Sequence, residues 1–193
     1  MNSGRKDDPP PNRVKTMLGP ILQTATASTL VAESMLHRMG SAAKPFAQIG
    51  IGHVQRSIGF GGALYYGHKA IQGGDASDAT KAVAYTGFAA HGYARMLEAT
   101  RPHPQWTPGL GLGAAILKGA ASGPSAAPGF IADAAANATE LMHAKHPGPG
   151  ASPFSQAVSH VAHNIKPMTI MKTQRLGAAF MFADAIYQGY KKL

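Results

Sequence analysis

The chain has 193 residues and a mass of 20.0 kDa, enough for one domain and little more. Eighteen Lys and Arg against nine Asp and Glu give a formal charge of +9, yet only 14% of the residues are charged, so the basic balance comes from missing acids rather than from basic runs. The absence of cysteine excludes a disulfide framework, a thiolate metal site and a cysteine nucleophile together.

Small residues fill the chain instead: 35 Ala and 23 Gly, with 14 Pro, against 35 residues of Leu, Ile, Val and Phe combined. The Ala lies in helix-like runs, and no strand pattern is needed to account for the chain. The predicted fold is all-α, an irregular bundle of about six helices with a central helix hairpin and a disordered Pro-rich N-terminus. Residues 1–12 read as a flexible leader and 13–193 as a single helical domain.

In chain order, Arg5 and Lys6 are followed by Asp7, Asp8 and three prolines, which fits neither a secretory signal peptide nor an acid-poor transit peptide. A first helix is expected over 13–38, interrupted at Gly19-Pro20, with Leu22, Leu30, Val31, Met35 and Leu36 at helical spacing. Helices over 45–72 and 75–100 follow, joined by Gly73-Gly74, with Asp75 placed to cap and Asp78 to favour the N-terminal dipole. Pro102, Pro104 and Pro108 predict a stiff connector around Trp106. A weak helix then opens at Gly109 and ends by Gly123-Pro124. Further helices are expected over 129–146, 153–166 and 169–193; in the last, Leu176, Phe180, Ile186 and Tyr187 can share a face. The best apolar stretches, 82–97 and 176–190, are short and contain His91 with Arg95, or Asp184, so no standard transmembrane span is expected.

Nine histidines raise the question of a metal. His143 with His146, and His160 with His163, are spaced to share helix faces, and Glu140 precedes His143 by three, as in di-iron bundles. That site type needs four carboxylates and two histidines, while the chain has three Glu, at 33, 98 and 140. No metal and no cofactor is expected. Glu33 and His37, at i and i+4, read as a solvated helix-face pair as readily as a dyad. Ser125 lacks the second Gly and the preceding strand of a nucleophile elbow. Gly109-Leu-Gly-Leu-Gly113 lacks the strand and the Lys-Ser sequel of a phosphate loop. No catalytic residue is assigned. Lys and Arg are dispersed, with no block of five, so no specific nucleic-acid partner is expected and a basic nucleic-acid-binding module is the weaker alternative.

The stretch 58–90 carries Gly59, Gly61, Gly62 and Gly67 before the Gly73-Gly74-Asp75 turn, and Ala79, Ala82, Ala84, Gly87 and Ala90 after it. It resembles the Gly/Ala-rich helical hairpins of bacterial secreted effectors, toxins and translocators, over about residues 53–98. The resemblance implies a non-enzymatic effector, secreted into a host cell without a cleaved signal peptide and acting by contact with a host membrane or protein. It carries over no catalytic residue. The small-residue face expected to make that contact comprises Gly59, Gly62, Ala63, Gly67 and Ala70 on one helix and Ala79, Val83, Gly87, Ala90 and Ala94 on the other, its partner being a protein or a lipid interface. The alternative is a supernumerary structural subunit of a membrane-associated complex, such as an organellar respiratory or ATP synthase assembly of the mitochondrial inner membrane. The Pro-rich connectors and the thin stock of large apolar residues favour that class.

Overall fold

The computed structural model describes residues 13–100, 106–121, 125–144, 150 and 152–192. Among these there are seven α-helices, one 3-10 turn and no strand, so the fold is all-α with one helix more than the six or so expected. The helices are α1 (Arg13–Met35), α2 (Lys44–Ile71), α3 (Ala76–Glu98), α4 (Trp106–Ala121), α5 (Ala127–Ala144), α6 (Pro153–Asn164) and α7 (Pro167–Tyr190), with the 3-10 turn Leu36–Arg38 after α1. The expected N-terminal leader lies outside the described residues, as does most of the 102–108 connector.

Local chemistry sets most boundaries. Asp75 caps α3 by accepting from the Asp78 backbone N–H at 2.9 Å. At the end of α2, Gly73 takes a positive φ of 94° and lets the Gly74 N–H reach back to the Lys69 carbonyl at 2.9 Å, satisfying an orphan acceptor. Asp78 also pairs with Lys69 across this turn, at 3.0 and 3.1 Å. Ser152 caps α6.

Two prolines behave differently from their expected roles. Pro20 does not interrupt α1; the helix runs through it. An interior proline costs about 3 kcal/mol, and burial of Leu22, Ala27 and Leu30 along the same helix offsets that cost. Pro108 lies in the first turn of α4, where an N–H has no intrahelical acceptor to lose, so the weak helix expected from Gly109 is a full one starting at Trp106.

Packing follows chain order: α2 on α3, α3 on α4 and α4 on α5, with α7 returning against α1 and α5. The main apolar cluster, Ala27, Leu30, Ala126, Phe130, Ala178 and Met181, fills the space between α1, the start of α5 and α7. Two helix pairs cross through glycine. A Cβ on Gly52 of α2 would lie 2.6 Å from the Gly92 carbonyl oxygen of α3, and one on Gly129 of α5 would lie 2.8 Å from the Gly177 carbonyl oxygen of α7. Only glycine permits approach this close at those four positions.

Burial in α7 is mixed. Leu176, Phe180, Ile186 and Tyr187 point outward, while Ile170, Met171, Ala178 and Met181 face the core together with Gln174, Gly177 and Asp184. Other helices share the pattern: Glu33, Gln55, His91, Arg95, Lys118, Asp133 and Asn137 are buried, whereas Phe46, Val54, Leu64 and Ile71 of α2 are exposed, Phe46 at 78% and Ile71 at 89%.

Candidate interaction surface

The ten residues of the expected small-residue face are divided among different environments. Gly59 and Gly62 lie inside the α2–α3 contact: a Cβ on Gly59 would sit 2.6 Å from Ala89 Cα, and one on Gly62 would strike the Tyr85 ring. Gly87 turns toward α4, where its Cβ would meet Ala114 at 3.6 Å, and Ala94 is buried. Ala63, Ala70 and Ala90 are half-buried, and Ala79 and Val83 are exposed. Gly67 has open space before it. The glycines that permit closest approach therefore hold the hairpin to itself.

The large exposed apolar area lies elsewhere. A groove of about 640 Å³ runs between α1 and α2, floored by Ala25, Ala32, Ala47 and Gly50 and walled by Met35, Met39, Ile51, Val54 and Ile58. A second apolar groove of about 580 Å³ lies between α1 and α7, bounded by Met17, Ile21, Ala185, Ile186 and Tyr190. Ala25 belongs to both, so one uncovered surface extends over α1 from the edge of α2 to the edge of α7. Large apolar residues lie on both sides of α7, Ile170, Met171 and Met181 inward and Leu176, Phe180 and Ile186 outward, so nothing local marked which side is the outer one.

Beneath this surface is a polar core. The Arg95 guanidinium donates to Glu33 Oε1 and, through Nε, to Gln55 Oε1 at 3.2 Å, while Gln55 Nε2 donates to Glu33 Oε2 at 2.9 Å. His91 Nδ1 lies 2.7 Å from the Thr107 carbonyl, an acceptor only, and its Nε2 lies 3.2 Å from Arg95 Nη2, a donor only. His91 Nε2 also lies 3.7 Å from Glu33 Oε2. Burial alone would raise the Glu33 pKa; Arg95, His91 and Gln55 outweigh it and hold the carboxyl at about 2. Glu33 is thus committed to Arg95, and His37 instead meets Glu140 at 3.1 Å, so the i, i+4 spacing of Glu33 and His37 reflects two separate pairs.

A second buried group joins α4 and α5. Burial raises the Asp133 pKa to about 7 and lowers that of Lys118 to about 8, each moderated by the other's charge. Asp133 accepts from Asn137 Nδ2 at 2.9 Å, and the Lys118 ammonium lies 3.7 Å from the Phe88 ring centroid.

Between these groups and the surface is a polar cleft of about 330 Å³ lined in part by Glu33, His37, Glu98, Thr107, Glu140 and His143. Burial raises the Glu98 pKa. The other carboxylates of the cleft are engaged by Arg95 and His37, an arrangement that fixes helices and leaves these acids and bases occupied with one another. Of the two histidine pairs, the structure brings together one member of each, with the rings of His143 and His163 5.3 Å apart; His160 is exposed and His146 lies outside the described residues. No group of three metal-ligating side chains occurs among the described residues. No described helix is long and apolar enough to cross a membrane. Comparison of the chain with protein-family models, curated proteins and solved structures finds no match in any of the three.

Proposed function

We propose that the protein is a non-enzymatic docking component whose α1–α2 groove receives an amphipathic helix of a partner protein. The observation that carries this reading is the outward-facing apolar surface: Met35, Val54, Ile186 and Tyr190 lie around continuous apolar grooves, while Glu33, Gln55 and Arg95 are paired inside. Contiguous exposed apolar surface is a feature of interaction sites. The groove is concave, with a floor of Ala and Gly that allows backbone approach and walls of Met and Ile that repack around an inserted ridge, the features of helix-in-groove recognition.

A permanent apolar exterior suits a subunit that spends its life within an assembly, which favours the structural-subunit class over a solitary secreted effector. An effector would bring the same face to a host protein. The test is photo-cross-linking of the full chain in the cells that make it, from position 54 in the groove and from position 172, where Lys172 is exposed. A discrete protein adduct from position 54 that disappears with Ile51→Arg, and is absent from position 172, supports the reading. Equal labelling from both positions, or adducts to lipid alone, removes it.

A further inference from the structure

A pocket of about 170 Å³, to which α1, α2, α3, α4, α5 and α7 all contribute, is lined by Lys81, Lys118, Lys192, Tyr66, Gln188 and Asp184, among others. We infer that this pocket is a binding site for a phosphoryl dianion, held by the three ammonium groups of Lys81, Lys118 and Lys192 and by the Tyr66 hydroxyl.

Charge is the first argument. Among the described residues, none of the three lysines has a carboxylate within ion-pair distance. Asp184 faces the same pocket, but its oxygens are occupied by Gln23 Nε2, at 2.8 Å, and by the Ser125 hydroxyl. Three ammonium groups against Asp184, with Asp133 beyond the Lys118 ammonium, leave the pocket an excess of positive charge, which a phosphate monoester dianion offsets. Lys118 is 4% exposed and makes no hydrogen bond to any described residue; only the rings of Phe88 and Tyr85 and the more distant Asp133 attend its charge. Burial and the like charges of Lys69 and Lys81 also hold Lys192 below the usual lysine range, a repulsion that a bound anion relieves.

Shape and donor type narrow the ligand. The pocket is smaller than the roughly 300 Å³ at which drug-sized ligand sites begin, so it admits a phosphoryl group and not a whole nucleotide. Its cationic donors are lysines, which act as point charges and can surround a tetrahedral oxyanion. Gly19 keeps the pocket open, because a Cβ there would lie 3.2 Å from Tyr66 Oη and 3.9 Å from Lys192 Nζ. Both donors therefore end beside the same vacant point.

A free phosphate and a phospholipid headgroup share this chemistry, and the experiment separates them. Thermal unfolding of the full chain is followed in inorganic phosphate and in chloride of equal ionic strength, and sedimentation is measured with phosphatidylcholine vesicles with and without phosphatidic acid. Three chains are compared: wild type, Lys81→Gln/Lys192→Gln, and Lys166→Gln/Lys172→Gln as a control with the same charge change at exposed positions. Because phosphate stabilises proteins non-specifically as well, the difference between chains is the readout. We expect wild type and control to respond alike, and the pocket variant to bind at least about tenfold more weakly, as loss of charge-assisted hydrogen bonds predicts. A response to phosphate identifies the free anion; one confined to phosphatidic acid vesicles identifies the headgroup. The proposal is overturned if the pocket variant matches wild type with both probes, or if neither probe affects wild type beyond its matched control.

Discussion

Arg95 on α3 and Glu33 on α1, 62 residues apart in the chain, form an ion pair with 6% and 3% of their side chains exposed. A pair this deep contributes little net stability against an apolar alternative, but removing one partner strands the other charge. Arg95→Met is therefore expected to cost about 3–5 kcal/mol in urea-induced unfolding. Adding Glu33→Gln to it should recover part of that loss, and a double variant as unstable as the sum of the singles would show the pair is uncoupled.

Stability should also depend on pH through Asp133 and Lys118. The folded-state pKa of Asp133 is raised from 3.8 to about 7, so the folded protein holds a proton that the unfolded chain releases, and stability falls as pH rises across that interval. Lys118 is lowered from 10.5 to about 8, so the unfolded chain binds the extra proton and stability rises from pH 8 toward 10.5. Glu33 adds a rise between about 2 and 4.5. The expected profile has a trough between pH 7 and 8. Asp133→Asn should flatten its acid side, as melting temperatures measured from pH 4 to 9 would reveal.

Two glycines in α2 should respond oppositely to the same change. Gly67→Ala adds a methyl group to open space within a helix, with an expected gain of about 0.5–1 kcal/mol. Gly59→Ala drives a Cβ into the Ala89 backbone, and overpacking of roughly 1–3 kcal/mol overrides that gain. Paired denaturation curves decide it; equal effects would mean α2 and α3 can separate without cost.

Gln174 is 0% exposed, and neither its Oε1 nor its Nε2 has a hydrogen-bond partner among the described residues. A buried amide in that state costs roughly 1–3 kcal/mol, whereas a methionine of similar length does not. Gln174→Met is expected to raise the unfolding free energy by about 1 kcal/mol or more. A loss of stability would point to a polar partner contacting Gln174.

Helix class, the Asp75 cap and the Gly73 turn were legible because each rests on chemistry within a few residues. The sense of α7 was not. That helix carries large apolar residues on both sides, and Ile170, Met171 and Met181 take the inner one, where Gly177 meets Gly129, leaving Leu176 and Phe180 outside. The same crossing logic explains why Gly59 and Gly62 proved internal: small residues mark a close contact without saying which neighbour makes it. The polar core was hidden by separation. Glu33, Gln55 and Arg95 carry no common motif, and only the return of α3 alongside α1 and α2 assembles them.

The packing of helices in chain order sets an order of assembly. Contacts between successive helices close short loops and form quickly, whereas the bonds tying α1 to α7, Gln23 to Asp184 and Arg175 to Ser34, close loops of 161 and 141 residues. During synthesis, α1 emerges first and must wait for nearly the whole chain before its inner face is covered. Until then Leu22, Ala27 and Leu30 are exposed as well as Ile21 and Met35, so the nascent chain is most vulnerable to association with other proteins just before α7 leaves the ribosome.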